Sequence, residues 1–421
     1  MQLPSLASLA VPAVLILVSF LGYSSQYLFL YIEPQPLTRD ELLKFNILLA
    51  ALFICYARAC TTDPGRLPAE ADKGDSEEVN VDRRPRWCRK CNAAKWPRAH
   101  HCKTCGRCIP KMDHHCPWTV NCVSHTTYPH FIRFVFYAVA AMGYLLKLLY
   151  VRDAVIWRNR NLPMYLGPSV PQLVHLLLLN VANSLTFFAL IILLVGSLWN
   201  LAVNQTTIET WEIERHEALL RRARHFGGYL DGPEGTRIKI VKQEFPYDIG
   251  IWKNIAQGMG SSNPLSWFWP LSRTPSVASG ISFETNGFED PSVSWPPPDP
   301  DRITRKFAGP EASPVFTVDE SESNQARIEA FRQRQQKDLQ RWQKGDGEAT
   351  VRKRKTFHKR FDDDDNDTDE PAGDESGEEG WKNSEGERLK DFGVDEEVEF
   401  YDEEDLPLAK LIEKRRAAAS R

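Results

Sequence analysis

The sequence has almost no excess of charge of either sign. Over 421 residues, 52 lysines and arginines stand against 56 aspartates and glutamates, and the formal net charge at pH 7 is −4. A strong excess of positive charge would be needed to favour binding to a polyanion. No nucleic-acid partner is therefore predicted. The length allows two or three ordinary domains.

Cysteine is scarce outside one short window. Seven of the nine cysteines lie within residues 88–122, and the other two are Cys55 and Cys60. Clustered Cys-x-x-Cys pairs are typical of metal ligands, and thiolate ligands need a reducing compartment. We therefore expect the cysteine window to face the cytosol.

The first eight residues contain no lysine or arginine. A secretory signal peptide begins with basic residues and has a shorter apolar core, so the first apolar run is predicted to be a retained membrane span. Three further runs are long and apolar enough to cross a bilayer. The four predicted spans cover roughly residues 9–32, 42–60, 131–150 and 170–202.

Basic residues are concentrated in the loop that contains the cysteine window. The loop between the first two spans has only Arg39, whereas the cysteine-rich loop and the segment after the fourth span carry many lysines and arginines. Three arginines between the third and fourth spans weaken this bias without reversing it. The positive-inside rule therefore places the cysteine window and both termini in the cytosol.

The cysteine window has the residue spacing of zinc ligands. It reads Cys88-x-x-Cys91, His100-His101-Cys102-x-x-Cys105-x-x-Cys108, Asp113-His114-His115-Cys116 and Cys122. Paired thiols with histidines nearby are typical of tetrahedral zinc sites. Two structural sites would use eight of the eleven cysteine and histidine side chains, so three remain.

Asp113, His114 and Cys116 are the residue types that a nucleophilic cysteine requires. The thiol needs a base that removes its proton, and the base needs a carboxylate that orients it. Nearby zinc sites would supply positive potential that lowers the pKa of the thiol. Alternatively, Cys116 is a further zinc ligand, as in RING-type or LIM-type binding modules. The spacing alone leaves both interpretations open.

Residues 88–131 resemble the cysteine-rich domain of the DHHC protein S-acyltransferases, or palmitoyltransferases. The matching segments are Lys95-Trp96-Pro97-Arg98-Ala99-His100-His101-Cys102 and Asp113-His114-His115-Cys116-Pro117-Trp118-x-x-Asn121-Cys122-Val123. Outside the window, further family motifs are matched by Asp63-Pro64-Gly65, by Thr206-Thr207-Ile208-Glu209 and by Asn254. The resemblance covers roughly residues 9–270.

The resemblance implies a reaction and a role for each site residue. Cys116 would take the acyl group from palmitoyl-CoA as a thioester, His114 would be the general base, and Asp113 would orient it. The acyl group would then pass to cysteines close to the lipid bilayer in other membrane proteins. Two structural zinc ions would be bound by two ligand sets: Cys88, Cys91, His101 and Cys108 in the first, and Cys102, Cys105, His115 and Cys122 in the second.

The chain departs from the family pattern just after Cys122. The family usually has glycine, and then asparagine three residues later, where this chain has Ser124 and Thr127. Loss of the glycine predicts a different turn geometry before the third span. This variant, with Asn263-Pro264-Leu265-Ser266-Trp267-Phe268-Trp269-Pro270, resembles a fungal branch of the family. That resemblance implies residence in the endoplasmic reticulum membrane and chitin synthase as a substrate.

The predicted fold is an α-helical polytopic membrane protein. Four transmembrane helices, a cytosolic zinc-binding domain between helices 2 and 3, and a disordered, charged C-terminal tail are expected. The predicted regions are 1–60 (helices 1 and 2), 61–130 (zinc domain), 131–203 (helices 3 and 4), 204–270 (juxtamembrane region) and 271–421 (tail). The alternative function is a membrane-anchored zinc-binding adaptor without catalysis. A third interpretation, a thioesterase, would need water to reach and hydrolyse the acyl-enzyme.

Overall fold

The computed structural model describes the predicted membrane helices, the cysteine-rich region and the parts of the C-terminal region that lie beside them. The described residues are 6–34, 36–66, 87–88, 90–91, 93–161, 163, 166–231, 237–287, 295, 299–300 and 381–395. All of them except Trp381 belong to one unit of the chain. Most of the predicted tail, 271–421, lies outside the described residues.

Four helical segments within the described residues are long and apolar enough to cross a membrane. They are Leu9–Leu28, Arg39–Thr61, Tyr128–Arg158 and Val170–Ala202. The first contains most of α1 (Leu6–Ser19), a π-helical turn (Phe20–Ser24) and α2 (Ser25–Leu28). The other three are α3, α4 and α5. The predicted fold class is confirmed, and the chain is a multi-pass membrane protein.

Capping residues in the sequence fix where two of these helices begin. Thr38 precedes α3, where its hydroxyl accepts a hydrogen bond from the Glu41 N–H and the Glu41 carboxylate accepts one from the Thr38 N–H. Such a capping box satisfies free N–H groups of the first turn. Ser169 and Gln172 have the same relation at the start of α5.

The helix α4 is longer than a bilayer requires. Its 31 residues correspond to about 46 Å, whereas the hydrocarbon core is about 30 Å thick. The helix therefore extends beyond the hydrocarbon core. Its N-terminal turns follow directly on the last strand of the cysteine-rich region.

The membrane helices pack through small and apolar residues, with a few polar links. A Cβ added to Gly22 would lie 2.9 Å from Leu49 Cδ1, so the first helix approaches α3 closely. In the buried interior, Asn183 Nδ2 donates to the Met142 carbonyl at 3.1 Å, which joins α5 to α4. Interhelical hydrogen bonds of this kind stabilise helix pairs within membranes.

Three short antiparallel hairpins form the cysteine-rich region between α3 and α4. They pair β1 (Trp87–Cys88) with β2 (Ala93–Ala94), β3 (His100–Cys102) with β4 (Arg107–Ile109), and β5 (His114–Cys116) with β6 (Asn121–Val123). Strands of two or three residues are too short to form a stable sheet alone. The region therefore depends on bound metal and on its contacts with the helices.

The segment after α5 packs beside the zinc-ligand region and the start of α4. It contains α6 (Thr207–Arg224), β7 (Tyr229–Asp231), β8 (Arg237–Lys239), α7 (Ile251–Met259) and α8 (Pro264–Phe268). Arg133 of α4 donates to the Trp267 carbonyl at 2.9 Å, and the Tyr137 hydroxyl donates to the Phe268 carbonyl at 2.7 Å. These bonds place α8 against the N-terminal part of α4.

Two described parts of the predicted tail contact the cysteine-rich region. In the first, Ser279 Oγ lies 2.8 Å from His125 Nε2. In the second, residues 382–395, the Leu389 and Phe392 side chains are buried. The prediction of disorder does not hold for these two parts, because buried side chains and hydrogen bonds fix them. The composition of the tail, which is dominated by charge, did not reveal them.

Candidate active site and zinc centres

The first predicted ligand set comes together around one histidine nitrogen. His101 Nδ1 lies 3.3 Å from the sulfurs of Cys88 and Cys91 and 3.7 Å from that of Cys108. The four ligand atoms lie within 4.8 Å of one another. The end of β1, the turn that follows it and the paired strands β3 and β4 supply them.

The second predicted ligand set has the same arrangement. His115 Nδ1 lies 3.6 Å from the sulfurs of Cys102 and Cys105 and 3.4 Å from that of Cys122. These four atoms also lie within 4.8 Å of one another. The Cys105 N–H donates to the Cys102 sulfur at 3.3 Å, which stabilises a thiolate at that position.

Both sets fit a zinc ion. Zinc binds sulfur at about 2.3 Å and nitrogen at about 2.0–2.1 Å, so tetrahedral geometry separates the two ligand atoms by about 3.6 Å. The observed nitrogen–sulfur distances run from 3.3 to 3.7 Å. Three thiols and one imidazole complete the shell of a closed structural site. The two sets can therefore each hold a structural zinc ion.

Strand alternation explains why adjacent residues belong to different sets. Successive side chains in a strand point to opposite faces. In β3, His101 joins the first set while Cys102 joins the second. In β5, the same rule separates His115, which joins the second set, from His114 and Cys116 on the other face. Cys116 and His114 belong to neither set.

Asp113, His114 and Cys116 form a connected group. His114 Nδ1 lies 2.6 Å from Asp113 Oδ2, and the His114 imidazole is close enough to Cys116 to lower the pKa of its thiol. Because Nδ1 faces the carboxylate, Nε2 is the nitrogen left for the thiol. The His114 ring packs edge-on against Phe131 of α4, with 5.7 Å between ring centroids. The three residues that the sequence singled out are thus in contact.

The first turn of α6 holds Asp113 in place. Its Oδ1 accepts a hydrogen bond from the Thr207 N–H at 2.9 Å, and its carbonyl accepts one from the Thr207 hydroxyl at 2.5 Å. Thr206 and Glu209 form a capping box at the start of the same helix. An N-terminal helix turn favours a carboxylate. The sequence matched this motif but did not reveal its contact with Asp113.

A buried ion pair connects α6 to Arg98, which lies just before β3 in the cysteine-rich region. Arg98 donates to both carboxylate oxygens of Glu209 at 2.6 Å and to the Asn204 carbonyl at 2.6 Å. The guanidinium also lies over the Tyr247 ring at 4.5 Å from its centroid. Both charged side chains are almost fully buried. The bidentate geometry satisfies charges that would otherwise be costly to bury.

Cys116 lies at the boundary between the hairpins and the membrane helices. Its side chain is 5% exposed and belongs to an apolar cluster with parts of α4, α5 and α7. The fully or largely buried members of this cluster are Cys116, Val123, Phe131, Ile132, Val135, Leu194, Leu201 and Met259. A thiol in this environment adjoins a surface that an alkyl chain can contact.

The charges around the group favour a thiolate paired with an imidazolium. Burial disfavours the imidazolium, but hydrogen bonds to Asp113 and Cys116 outweigh it and raise the pKa of His114 to about 10. Burial also disfavours the thiolate, but the hydrogen bond and charge of His114 outweigh it and lower the pKa of Cys116 below its usual value. A lowered pKa makes a cysteine a better nucleophile at neutral pH.

Ser124 and Thr127, which depart from the family pattern, have defined structural roles. The Ser124 hydroxyl donates to the Pro64 carbonyl at 2.8 Å, and the Thr127 hydroxyl donates to the Cys122 carbonyl at 2.7 Å. Ser124 does not adopt a positive φ. Glycine is therefore not required by the backbone here, and the hydroxyl joins this turn to the segment after α3.

Comparisons with known proteins agree with this geometry. The family model described as DHHC palmitoyltransferase matches residues 82–214. Palmitoyltransferase pfa4 of Emericella nidulans is 56% identical over 98% of this chain and 97% of that protein. Palmitoyltransferase pfa4 of Aspergillus fumigatus is 54% identical over 98% of each chain, and Palmitoyltransferase PFA4 of Gibberella zeae is 42% identical over 99% and 97%. The chain belongs to the DHHC palmitoyltransferase family.

Family membership confirms the predicted activity, protein S-palmitoyltransferase. A palmitoyltransferase of this family uses acyl-CoA as donor and modifies membrane proteins, which agrees with four membrane helices beside the candidate site. The comparisons give no support to the alternative of a zinc-binding adaptor without catalysis.

Proposed function

We propose that Cys116 is the acyl carrier of this palmitoyltransferase, with His114 as its base and Asp113 as the residue that orients the base. The surroundings of Cys116 carry this proposal. Cys116 is left out of both zinc-ligand sets, is joined to the Asp113–His114 pair and lies in an apolar cluster at the ends of membrane helices.

In the first step, the Cys116 thiolate attacks the carbonyl carbon of acyl-CoA. The bond between the acyl carbon and the CoA sulfur breaks, and the departing CoA thiolate takes the proton that His114 holds. Cys116 then carries the acyl group as a thioester and His114 is neutral. The long alkyl chain contacts apolar surface near Cys116, where burial stabilises it by about 0.8 kcal/mol for each CH₂.

In the second step, a cysteine of a membrane protein gives its proton to the neutral His114. Its sulfur attacks the acyl–Cys116 thioester, and Cys116 leaves as a thiolate beside the restored imidazolium. One thioester replaces another, so positioning and the supply of thiolate should control the rate. The position of Cys116 supports substrate cysteines that lie close to the membrane.

The ligand assignment of the two zinc sets is part of the proposal. Zinc, when bound, supplies a fixed frame and positive potential around β5. The sets are Cys88, Cys91, His101 and Cys108, and Cys102, Cys105, His115 and Cys122. The need of these thiols for a reducing compartment supports a cytosolic orientation of the domain and both termini.

The similarity to fungal relatives supports assignment to the fungal branch that the sequence motifs resemble. We therefore propose that the protein resides in the endoplasmic reticulum membrane and that chitin synthase is among its substrates. The test compares acylation of chitin synthase in cells expressing the wild type or Cys116→Ser. Equal acylation in the two strains would contradict this substrate.

Acyl loading of the purified protein tests the carrier role directly. The wild type, incubated with labelled palmitoyl-CoA, should acquire label that hydroxylamine removes, because hydroxylamine cleaves thioesters. Cys116→Ser should acquire none while keeping the zinc content of the wild type.

Cys60→Ser is the matched control, since Cys60 is a half-buried free thiol at the end of α3. This variant should load like the wild type. Equal label on the wild type and Cys116→Ser, or no label on a zinc-loaded wild type, would refute the carrier role.

A further inference from the structure

A segment far from the family motifs in the sequence packs against β5, on the face opposite to Cys116. Residues 382–395, called the C-terminal strap here, pair with the outer edge of β3. The Lys103 N–H donates to the Gly393 carbonyl and the Asp395 N–H donates to the His101 carbonyl, both at 2.9 Å. Between these bonds Val394 lies opposite Cys102. The strap thus pairs with β3 at the residues where the two ligand sets meet.

Side chains of the strap, as well as its backbone, make contacts that fix it in place. Leu389 and Val394 are almost fully buried, and Phe392 is nearly so. Asp395, itself buried, forms an ion pair with Lys90 at 2.5 Å. Buried apolar side chains and a mostly buried carboxylate are features of a packed interface, not of a strand that lies loosely on a surface.

The other end of the strap contacts α6, the helix that holds Asp113. The Ser384 N–H donates to the Glu214 carboxylate at 2.9 Å, and the Trp211 indole N–H donates to the Glu387 carbonyl at 3.3 Å. The strap therefore joins the helix that positions Asp113 to the hairpins that carry the zinc ligands.

Gly393 brings the strap against β5 itself. A Cβ added at Gly393 would lie 2.6 Å from His115 Cβ and 3.5 Å from the His115 nitrogen. His115 is the residue between His114 and Cys116, and its side chain points to the opposite face of the strand. Gly393 therefore contacts β5 from the side away from the thiol. Its φ of 80° also suits glycine, because it ends the 3-10 turn Leu389–Phe392.

We propose that the C-terminal strap is a positioning element for acyl transfer. It fills the space behind His115 and thereby fixes the backbone that carries His114 and Cys116, while its other end supports the helix that holds Asp113. This inference rests on the proposed carrier role of Cys116. The strap touches none of the reacting atoms, so it acts on the rate of the chemical step and not on binding of acyl-CoA.

Gly393→Ala tests the proposal, with Gly386→Ala as its matched control. Both glycines lie in the strap and have similar positive φ values, 80° and 82°, so both substitutions strain the backbone alike. A Cβ at Gly386 meets nothing within 4 Å, whereas one at Gly393 meets His115. The difference between the two variants isolates the contact with β5.

The measurement is the rate of Cys116 loading at increasing concentrations of labelled palmitoyl-CoA, with zinc content and melting temperature recorded for each protein. For Gly393→Ala we expect the maximal rate to fall by about tenfold, because small misplacements of catalytic groups slow reactions strongly. The half-saturating concentration and the zinc content should stay at wild-type values. Gly386→Ala should load at the wild-type rate.

Three results would overturn the positioning role. They are a wild-type maximal rate in Gly393→Ala, equal slowing in both variants, and slowing that occurs only with loss of zinc or folding. Absence of label from the wild type is a different result, because it would refute the proposed function itself.

Discussion

At the scale of single residues, the site depends on which face of a short strand each side chain occupies. His114 and Cys116 share one face of β5, and His115 occupies the other. The same three-residue strand can therefore supply a zinc ligand and a nucleophile with its base. Asp113, which precedes the strand, contacts His114 through Oδ2 and Thr207 through Oδ1. Each oxygen of the carboxylate thus has a separate task.

Asp113→Asn should abolish the function of His114 as a base. An asparagine amide N–H₂ facing Nδ1 would place the imidazole proton on Nε2, the nitrogen that must take the proton of Cys116. We expect the loading rate at neutral pH to fall by about a hundredfold or more, as for loss of a general base. Initial loading rates of zinc-replete wild type and variant would measure this.

The dependence of the loading rate on pH should also change in Asp113→Asn. In the wild type, His114 lowers the pKa of Cys116, so a larger fraction of the thiol is ionised at any given pH. In Asp113→Asn that help is lost and burial dominates, which raises the pKa of the thiol. The rise of loading rate with pH should therefore shift to higher pH. An unchanged profile would contradict the role of Asp113.

At the scale of elements, the N-terminus of α6 joins the membrane helices to the site. It follows α5 after a short turn that contains Asn204, which has a positive φ of 55°. Its capping box orients the first turn, and Arg98 anchors the capping glutamate from the cysteine-rich region. The helix start is thus fixed from both sides before it contacts Asp113.

Glu209→Leu should destabilise the protein more than the double variant Arg98→Met with Glu209→Leu. The single change leaves the Arg98 guanidinium buried without its carboxylate, which costs about 3–5 kcal/mol, whereas removal of both charges avoids that penalty. Melting temperatures in detergent would show which of the two variants is the more stable. A double variant that is less stable than Glu209→Leu would contradict it.

The exposed pair of Lys253 and Glu284 provides a control for this comparison. Its two side chains are 61% and 59% exposed. Glu284→Gln should leave the melting temperature unchanged, because water already solvates both charges.

The elements differ in how far the sequence could predict them. The four spans follow from apolar length alone, and the residue types and family motifs of the sequence predicted that Asp113, His114 and Cys116 act together. Residues 382–395 could not be predicted, because their order comes from backbone pairing with β3 and not from composition. The apolar residues Leu389, Phe392 and Val394 within an acidic tail were the available signal.

At the scale of the whole molecule, the cysteine-rich region packs against the ends of membrane helices. This region has only a small hydrophobic core of its own. Asn121 of β6 donates through Nδ2 to the Ala59 and Thr62 carbonyls at the end of α3, and α4 begins five residues after β6 ends. The ligand sets join the hairpins to one another, and contacts with the C-terminal strap and with α6 support them from outside. Metal binding and the folding of this region should therefore be coupled.

The two zinc ions should consequently be lost together. His101 and Cys102 are adjacent in β3 but belong to different sets, so loss of either ion frees a strand that carries ligands of the other. On titration with a chelator, native mass spectrometry should show proteins with two ions and with none, and little of the form with one. Cys91→Ser, which removes a ligand of the first set only, should lose both ions, while Cys60→Ser keeps both. A stable form of Cys91→Ser with one zinc ion would show that the two sets bind independently, and that β3 does not couple them.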